Sequence, residues 1–198
     1  MKIKAVIFDL DGTITEPYLD FDSLRKEIGL AADAGPLLEA METMSDAERK
    51  KTEEILYKHE QAAIEHSTLN KGAAETLKKL RQMKIPIGIL TRNTSANASA
   101  VAEKHNIKFD AVFDRNDGPV KPDPFGVKML CKHFNVLPQE AIVVGDYLFD
   151  LQCAKAAGAI SVWMKNSAKT DKFSEFADFT IDSLTEILDI MDGRKDEK

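Results

Sequence analysis

Residues 6–15 read VIFDLDGTIT, and this stretch joins two features that conflict electrostatically. Its first three residues are apolar and β-prone, which predicts a buried strand. Asp9 and Asp11 then place two carboxylates at the end of that strand. Burying one carboxylate costs free energy, and burying two that repel each other costs more, unless something positive lies beside them. The stretch therefore predicts a strand that ends in a charged site.

Short apolar segments recur along the chain and alternate with helical patterns. This alternation predicts an α/β layer architecture built on a mostly parallel sheet. The predicted strands lie near residues 2–8, 85–90, 110–113, 141–145, 159–164 and 178–181. Amphipathic helices are predicted over 72–83 and 124–134.

Residues 16–70 interrupt the alternation, because they show helical patterns and no strand pattern. Within them, Ser45 and Glu48 have the spacing of a capping box at a helix start. A connection between a strand and the next helix needs only a few residues, so we interpret this segment as an insertion. The predicted domains are a core of residues 1–15 and 71–198 and a helical insertion of residues 16–70.

The composition excludes some classes of partner and location. The formal net charge of -6 argues against a nucleic-acid or acidic-membrane surface and favours a small soluble partner. Cys131 and Cys153 lie in helical patterns, which favours buried, reduced thiols over a disulfide. Lys2 and Lys4 precede an apolar run that is too short for a signal peptide, and no segment is long enough to span a membrane, so we expect a cytoplasmic protein.

Polar residues follow each of the first four predicted strands. In an open parallel sheet, ligands bind beyond the carboxyl ends of the strands. The residues at these ends are Asp9, Asp11, Gly12, Thr13, Thr91, Arg92, Asn93, Lys121, Asp146 and Asp150. Carboxylates, a hydroxyl and an ammonium at one edge suit a divalent cation and a phosphoryl group. Mg²⁺ prefers oxygen ligands and would offset the repulsion between the aspartates.

Four motifs at these strand ends resemble those of the haloacid dehalogenase superfamily of hydrolases. They are DLDGT at 9–13, Thr91 after GIL, Lys121 in KPDP and GDYLFD at 145–150. The resemblance covers nearly the whole chain and is greatest to the phosphoglycolate phosphatase-like branch. It implies a Rossmann-like, three-layer α/β core with a parallel sheet, and a small α-helical cap formed by residues 16–70.

The resemblance also implies catalytic roles. Asp9 would be the nucleophile that becomes an aspartyl-phosphate, and Asp11 would be the general acid for the leaving alkoxide and then the base for water. Thr91 would hydrogen-bond the phosphoryl group, and Lys121 would neutralise charge between that group and Asp9.

The remaining implied roles concern metal and substrate. Mg²⁺ would be held by Asp9, by the main-chain carbonyl of Asp11 and by Asp146, directly or through water. Asp150 would either ligate the ion or support its ligands. The predicted substrate-binding residues are Gly12, Thr13, Thr91, Arg92, Asn93 and Lys121. Glycine allows a sharp turn that brings amides to a phosphate. The sequence leaves the roles of Arg92 and Asn93 open. They could contact the substrate, but an arginine at the start of a loop is as often exposed to solvent.

The resemblance implies a Mg²⁺-dependent phosphatase that acts on a small phosphorylated metabolite, such as phosphoglycolate or a sugar phosphate. Asp11 argues against a dehalogenase and an ion-pumping ATPase, which lack an aspartate there. A phosphomutase of the β-phosphoglucomutase type and a non-catalytic binding domain remain alternatives. We expect a monomer and leave a dimer open.

Overall fold

The computed structural model describes residues 2–31, 33–166 and 172–193, and its centre is a single sheet. The six strands lie close to the predicted segments. They are β1 (Ala5–Phe8), β2 (Ile87–Leu90), β3 (Ala111–Phe113), β4 (Ala141–Gly145), β5 (Ile160–Met164) and β6 (Phe179–Ile181). Each pair of neighbours is parallel, in the order β3-β2-β1-β4-β5-β6. The predicted α/β fold with a parallel sheet is confirmed.

The sheet is the middle layer of its unit. The helices of the described residues are α1 (Phe21–Ile28), α2 (Leu37–Glu42), α3 (Asp46–His66), α4 (Ala73–Gln82), α5 (Ser95–Lys104), α6 (Phe125–His133), α7 (Leu148–Ala157) and α8 (Glu186–Met191). Ala5 and Ile7 of β1 pack in one apolar cluster with Val127 of α6 and Cys153 of α7. Every residue of β1 is fully buried, so both faces of the sheet are covered, as is typical of parallel sheets.

Strand order decides which strand ends meet. β1 lies between β2 and β4, and Phe8 is in register with Ile89 on one side and Val144 on the other. The segments that leave β1, β2 and β4 therefore begin side by side at the carboxyl edge. These are the segments that begin with Asp9, Thr91 and Asp146.

The chain divides into two compact units, Met1–Pro17 with Thr68–Lys198, and Tyr18–Ser67. The smaller unit contains α1, α2 and α3 around an apolar cluster that includes Leu24, Met41 and Leu56. The predicted capping box at the start of α3 is present: Ser45 Oγ accepts from the main-chain N–H of Glu48, whose carboxylate accepts from the N–H of Ser45 at 3.0 Å. That the smaller unit, Tyr18–Ser67, acts as a cap over the site stays a prediction.

The two connections to the smaller unit start close together within the larger one. Thr15 forms a bridge with Leu69, and the N–H of Glu16 donates to the carbonyl of Thr68 at 3.0 Å. The Thr68 hydroxyl donates to the Glu16 carboxylate at 2.9 Å. This paired segment begins only four residues after Asp11.

The described residues bear on two further expectations from the sequence. Cys131 and Cys153 are free and buried, as predicted, and burial raises the pKa of the Cys131 thiol to about 11. Among the helices that the structure describes, none has the length and apolar character needed to cross a lipid bilayer.

Candidate active site

The centre of the site is a buried lysine between two aspartates. Lys121 Nζ lies 2.7 Å from Asp9 Oδ1 and 2.6 Å from Asp150 Oδ1, and the lysine is only 4% exposed. Burial by itself would lower the pKa of Lys121, but the carboxylates of Asp150 and Asp9 outweigh it and raise that pKa above its usual value. Lys121 therefore stays charged, and the opening stretch has the positive partner that its aspartates need.

Asp150 reaches Lys121 from the first turn of α7. It also accepts a hydrogen bond from the N–H of Tyr147 at 3.1 Å, which satisfies a donor at the helix start. Gly145 makes this approach possible, because a Cβ there would lie 2.1 Å from the Cβ of Asp150. Asp150 therefore binds Lys121 and also accepts a hydrogen bond at the start of α7.

Asp146 lies against the turn that follows β1. Gly12 has φ +84°, a left-handed conformation that favours glycine. A Cβ at this position would lie 2.3 Å from Asp146 Oδ2. Only glycine therefore allows the turn and the carboxylate to come so close together.

Asp9, Asp146 and Asp150 form an acidic cluster with one carboxylate oxygen of each within 4.8 Å of the others. Burial, with smaller contributions from its acidic neighbours and against the pull of Lys121, raises the pKa of Asp9 to about 7. Burial, followed by repulsion from Asp9 and Asp150, also raises the pKa of Asp146 well above its usual value. Hard oxygen donors that repel one another fit a divalent cation, which would favour their ionised forms.

Asp11 has a hydrogen-bond partner outside this cluster. Its Oδ2 accepts a hydrogen bond from the side-chain amide of Asn93 at 3.0 Å. Burial raises the pKa of Asp11, and the bond from Asn93 opposes the change. The metal role predicted for Asp11 concerned its main-chain carbonyl, so its carboxylate remains a candidate for proton transfer.

The residues after β2 bind mostly to other parts of the site. Thr91 is buried, and its Oγ accepts from the N–H of Asn93 at 2.9 Å. Arg92 Nη1 donates to the carbonyl of Lys121 at 2.5 Å, and the guanidinium lies 5.1 Å from the centre of the Phe149 ring. Arg92 thus binds the main chain of Lys121, whereas the sequence analysis had expected Arg92 to contact either substrate or solvent.

Among the described residues, no hydrogen bond of the Thr13 side chain supports the substrate-binding role predicted for it. The residue is fully buried, and within the described part of the chain its hydroxyl has no hydrogen-bond partner. Its N–H donates to the carbonyl of Leu10 at 3.3 Å, inside the turn.

Two asparagines belong to the site although the sequence reasoning did not select them. Asn166, just beyond β5, donates to the carbonyl of Gly12 and to Asp146 Oδ2, the latter at 3.2 Å. Asn70 donates to the Gly12 carbonyl at 3.2 Å and to Asn166 Oδ1 at 2.9 Å. The rule that polar residues at strand ends form the site would have found Asn166, had it been applied to the fifth strand.

Comparison with known proteins agrees with this arrangement. A family model described as haloacid dehalogenase-like hydrolase matches residues 3–158. The chain belongs to this hydrolase family. The four motifs at the strand ends had already indicated it, so the recognition from sequence is confirmed.

Haloacid dehalogenase-like relatives extend over almost the whole chain. A haloacid dehalogenase-like hydrolase domain-containing protein of Arabidopsis thaliana is 28% identical over 98% of this chain and 86% of its own length. A phosphoglycolate phosphatase of Vibrio vulnificus is 28% identical over 96% of both chains. A solved haloacid dehalogenase-like hydrolase from Streptococcus pneumoniae shares the fold, with a TM-score of 0.72 and 23% identity over 95% of this chain and 98% of that one. The prediction that this protein is a hydrolase is confirmed.

Proposed function

We propose that this haloacid dehalogenase-like hydrolase is a Mg²⁺-dependent phosphatase that acts on a small phosphorylated metabolite. One observation carries the proposal: a carboxylate bound to a buried lysine stands two residues before a second carboxylate that is held separately by an amide. The first is suited to attack phosphorus and the second to transfer a proton. The phosphatase names of relatives such as that of Vibrio vulnificus support the same class of substrate.

The first half of the reaction forms a phosphoenzyme. Asp9 attacks the phosphorus atom while the bond from phosphorus to the ester oxygen breaks. The electron pair of that bond stays on the ester oxygen, which takes a proton from Asp11 and leaves as an alcohol. Lys121 and the hydroxyl of Thr91 stabilise the charge on the phosphoryl oxygens.

The second half returns the enzyme to its starting state. Asp11, now ionised, removes a proton from water as the water oxygen attacks the phosphorus of the aspartyl-phosphate. The bond from phosphorus to Asp9 breaks, which restores the carboxylate and releases inorganic phosphate. Asp11 has then regained the proton that it gave to the alcohol.

The acidic cluster of Asp9, Asp146 and Asp150 would hold the Mg²⁺ ion, with Asn166 orienting Asp146. When bound, the ion supplies positive charge for the phosphoryl oxygens and for the nucleophile. The pKa values of Asp9 and Asp146 are raised by burial and by their acidic neighbours, and a bound cation would oppose this by favouring the ionised carboxylates.

We propose that Tyr18–Ser67 acts as the substrate-selecting cap. The support is its position in the chain, since both of its connections leave the core at the paired segment just beyond Asp11. A cap attached there would restrict the substrate to a small molecule.

A panel of phosphate esters tests the proposal. With Mg²⁺, the purified protein should release inorganic phosphate from 4-nitrophenyl phosphate and from at least one of phosphoglycolate and the sugar phosphates. The variant Asp9→Asn should fold as the wild type does, judged by circular dichroism, and lose on the order of a thousandfold or more in kcat. Labelled phosphate should remain on wild type after acid quenching but not on the variant.

Each part of the proposal has its own contradicting result. Full activity in excess chelator would contradict the metal role. Isomerised sugar phosphate without free inorganic phosphate would replace the phosphatase with a phosphomutase. A labelled Asp9→Asn protein would assign the nucleophile to another residue.

A further inference from the structure

Asn93 lies between two groups that the proposed reaction uses. The residue is 6% exposed. Its main-chain N–H donates to Thr91 Oγ at 2.9 Å, and its side-chain amide nitrogen donates to Asp11 Oδ2 at 3.0 Å. One buried residue thus contacts both the predicted phosphoryl-binding hydroxyl and the predicted general acid.

The orientation of the Asn93 amide is fixed from its other side. Its Oδ1 accepts from the N–H of Thr94 at 2.8 Å and from the side-chain amide of Asn97 at 2.7 Å. Two N–H donors require an oxygen at that position, because a nitrogen there would meet them with its own hydrogens. The amide nitrogen must therefore face Asp11.

This orientation distinguishes the two oxygens of Asp11. An amide NH₂ group donates and cannot accept, so Oδ2 has to be the accepting oxygen of the pair. A transferable proton then belongs on Oδ1. We propose that Asn93 is a positioning residue that reserves Oδ1 of Asp11 for proton transfer to the leaving group, an inference that rests on the proposed phosphatase function.

The main chain of Asn93 acts on Thr91 in a similar way. Because its N–H donates to Thr91 Oγ, that oxygen is the acceptor in this contact. The hydroxyl hydrogen of Thr91 must then point elsewhere, where it can be donated to a phosphoryl oxygen. Asn93 thereby sets the direction of hydrogen bonding at both groups.

Buried hydrogen bonds hold this residue beside the acid. With Oδ1 bound to Thr94 and Asn97 and the amide nitrogen bound to Asp11, the side chain is oriented by the protein. The earlier prediction that Asn93 binds substrate is therefore replaced, in this inference, by an action through Asp11.

The test compares two esters that differ in their need for a proton. The leaving group of an alkyl ester such as glycerol 2-phosphate needs a proton from Asp11 as it departs. The leaving group of 2,4-dinitrophenyl phosphate departs as a stable phenolate and needs no proton. Single-turnover release of each leaving group, with enzyme in excess, isolates the first half of the reaction. The ratio of the two rates is independent of the fraction of protein that is folded.

Asn93→Asp keeps an oxygen for Thr94 and Asn97 but replaces the donor that faces Asp11 with a carboxylate oxygen, which cannot donate when ionised and repels Asp11, so the uncharged variant Asn93→Ala is measured beside it. We expect the alkyl-ester rate of Asn93→Asp to fall about tenfold to a hundredfold, and its dinitrophenyl-ester rate to fall much less. Asn93→Ala should change the ratio in the same direction. Thr94→Ala removes the N-cap of α5, whose hydroxyl accepts from the N–H of Asn97, and should leave the ratio unchanged.

The outcomes separate this inference from the function on which it rests. Equal losses on both esters would overturn the inference, since they would show a structural role only. An unchanged maximal single-turnover rate that is reached only at a higher enzyme concentration would also overturn it, in favour of direct substrate contact. Failure of the wild type to hydrolyse any phosphate ester would overturn the proposed function and the inference with it.

Discussion

Two corners of the candidate active site hold aspartates by different means. In the lysine corner, Lys121 carries a full positive charge and bonds to Asp9 and Asp150. In the asparagine corner, the neutral amides of Asn70 and Asn166 bind the Gly12 carbonyl, and Asn166 also binds Asp146. Charge stabilises the ionised form of a carboxylate, whereas an amide chiefly fixes its direction. The lysine corner should therefore govern reactivity, and the asparagine corner should govern how well a cation is held.

Lys121→Ala should have the largest effect, because it removes the charge from the lysine corner. We expect kcat for 4-nitrophenyl phosphate to fall about a hundredfold to a thousandfold, since the phosphoryl group loses its nearest ammonium. Lys121→Arg keeps the charge and should retain more activity than the alanine variant. Steady-state kinetics at saturating Mg²⁺ measure both, and equal losses would show that shape rather than charge matters here.

Asn166→Ala should have a smaller and different effect. If Asp146 binds Mg²⁺ as proposed, removing the amide that orients its carboxylate is expected to weaken Mg²⁺ binding about tenfold to a hundredfold. Titration of activity with Mg²⁺ should show this as a higher half-saturating concentration, with kcat largely restored at high Mg²⁺. Asn70→Ala is the matched control, since Asn70 binds Gly12 and Asn166 but not Asp146. A similar shift in both variants would indicate that the turn, rather than Asp146, is the group being held.

The smallest expected effect is a pH dependence of stability in the metal-free protein. The pKa of Asp9 is raised to about 7 in the fold, so between about pH 4 and pH 7 the folded protein holds a proton that the unfolded chain releases. The contribution of Asp9 to the free energy of unfolding is therefore present at low pH and is lost as pH rises through 7. Its slope is at most about 1.4 kcal/mol for each pH unit.

Denaturant unfolding of wild type and Asp9→Asn, both in chelator, measures this contribution as the difference between the two proteins across pH 4 to 8. Mg²⁺ should reverse the loss near neutral pH in the wild type, because the cation favours ionised Asp9. A difference that stays constant with pH would contradict the raised pKa.

Much of the fold follows from local patterns. The strands are short apolar runs bounded by turns, and their positions agree closely with the prediction. The carboxyl-edge rule then selected Asp9, Asp146 and Lys121, which the structure brings together. Strand order was not predicted, because parallel neighbours such as β1 and β4 are more than a hundred residues apart and periodicity does not specify pairing.

The contacts that the sequence did not predict depend on the direction in which each side chain points. Asn70 is the last residue of the predicted insertion and was not selected as a site residue, yet its side chain binds the Gly12 carbonyl 58 positions away in the sequence. Arg92 and Asn93 were selected because they follow Thr91, which is predicted to bind phosphate, but they make hydrogen bonds to Lys121 and Asp11. Sequence spacing shows that such residues reach the same edge, whereas tertiary contacts decide which way each one points.

The close approach at Gly12 and Gly145 limits how this enzyme could be altered. At both positions a single added carbon atom would overlap a carboxylate of the candidate site, Asp146 in one case and Asp150 in the other. The candidate site thus leaves no room for a side chain at either glycine. New substrate preferences, whether they arise in evolution or by engineering, would have to come from residues farther from the phosphorus, while these two positions stay unchanged.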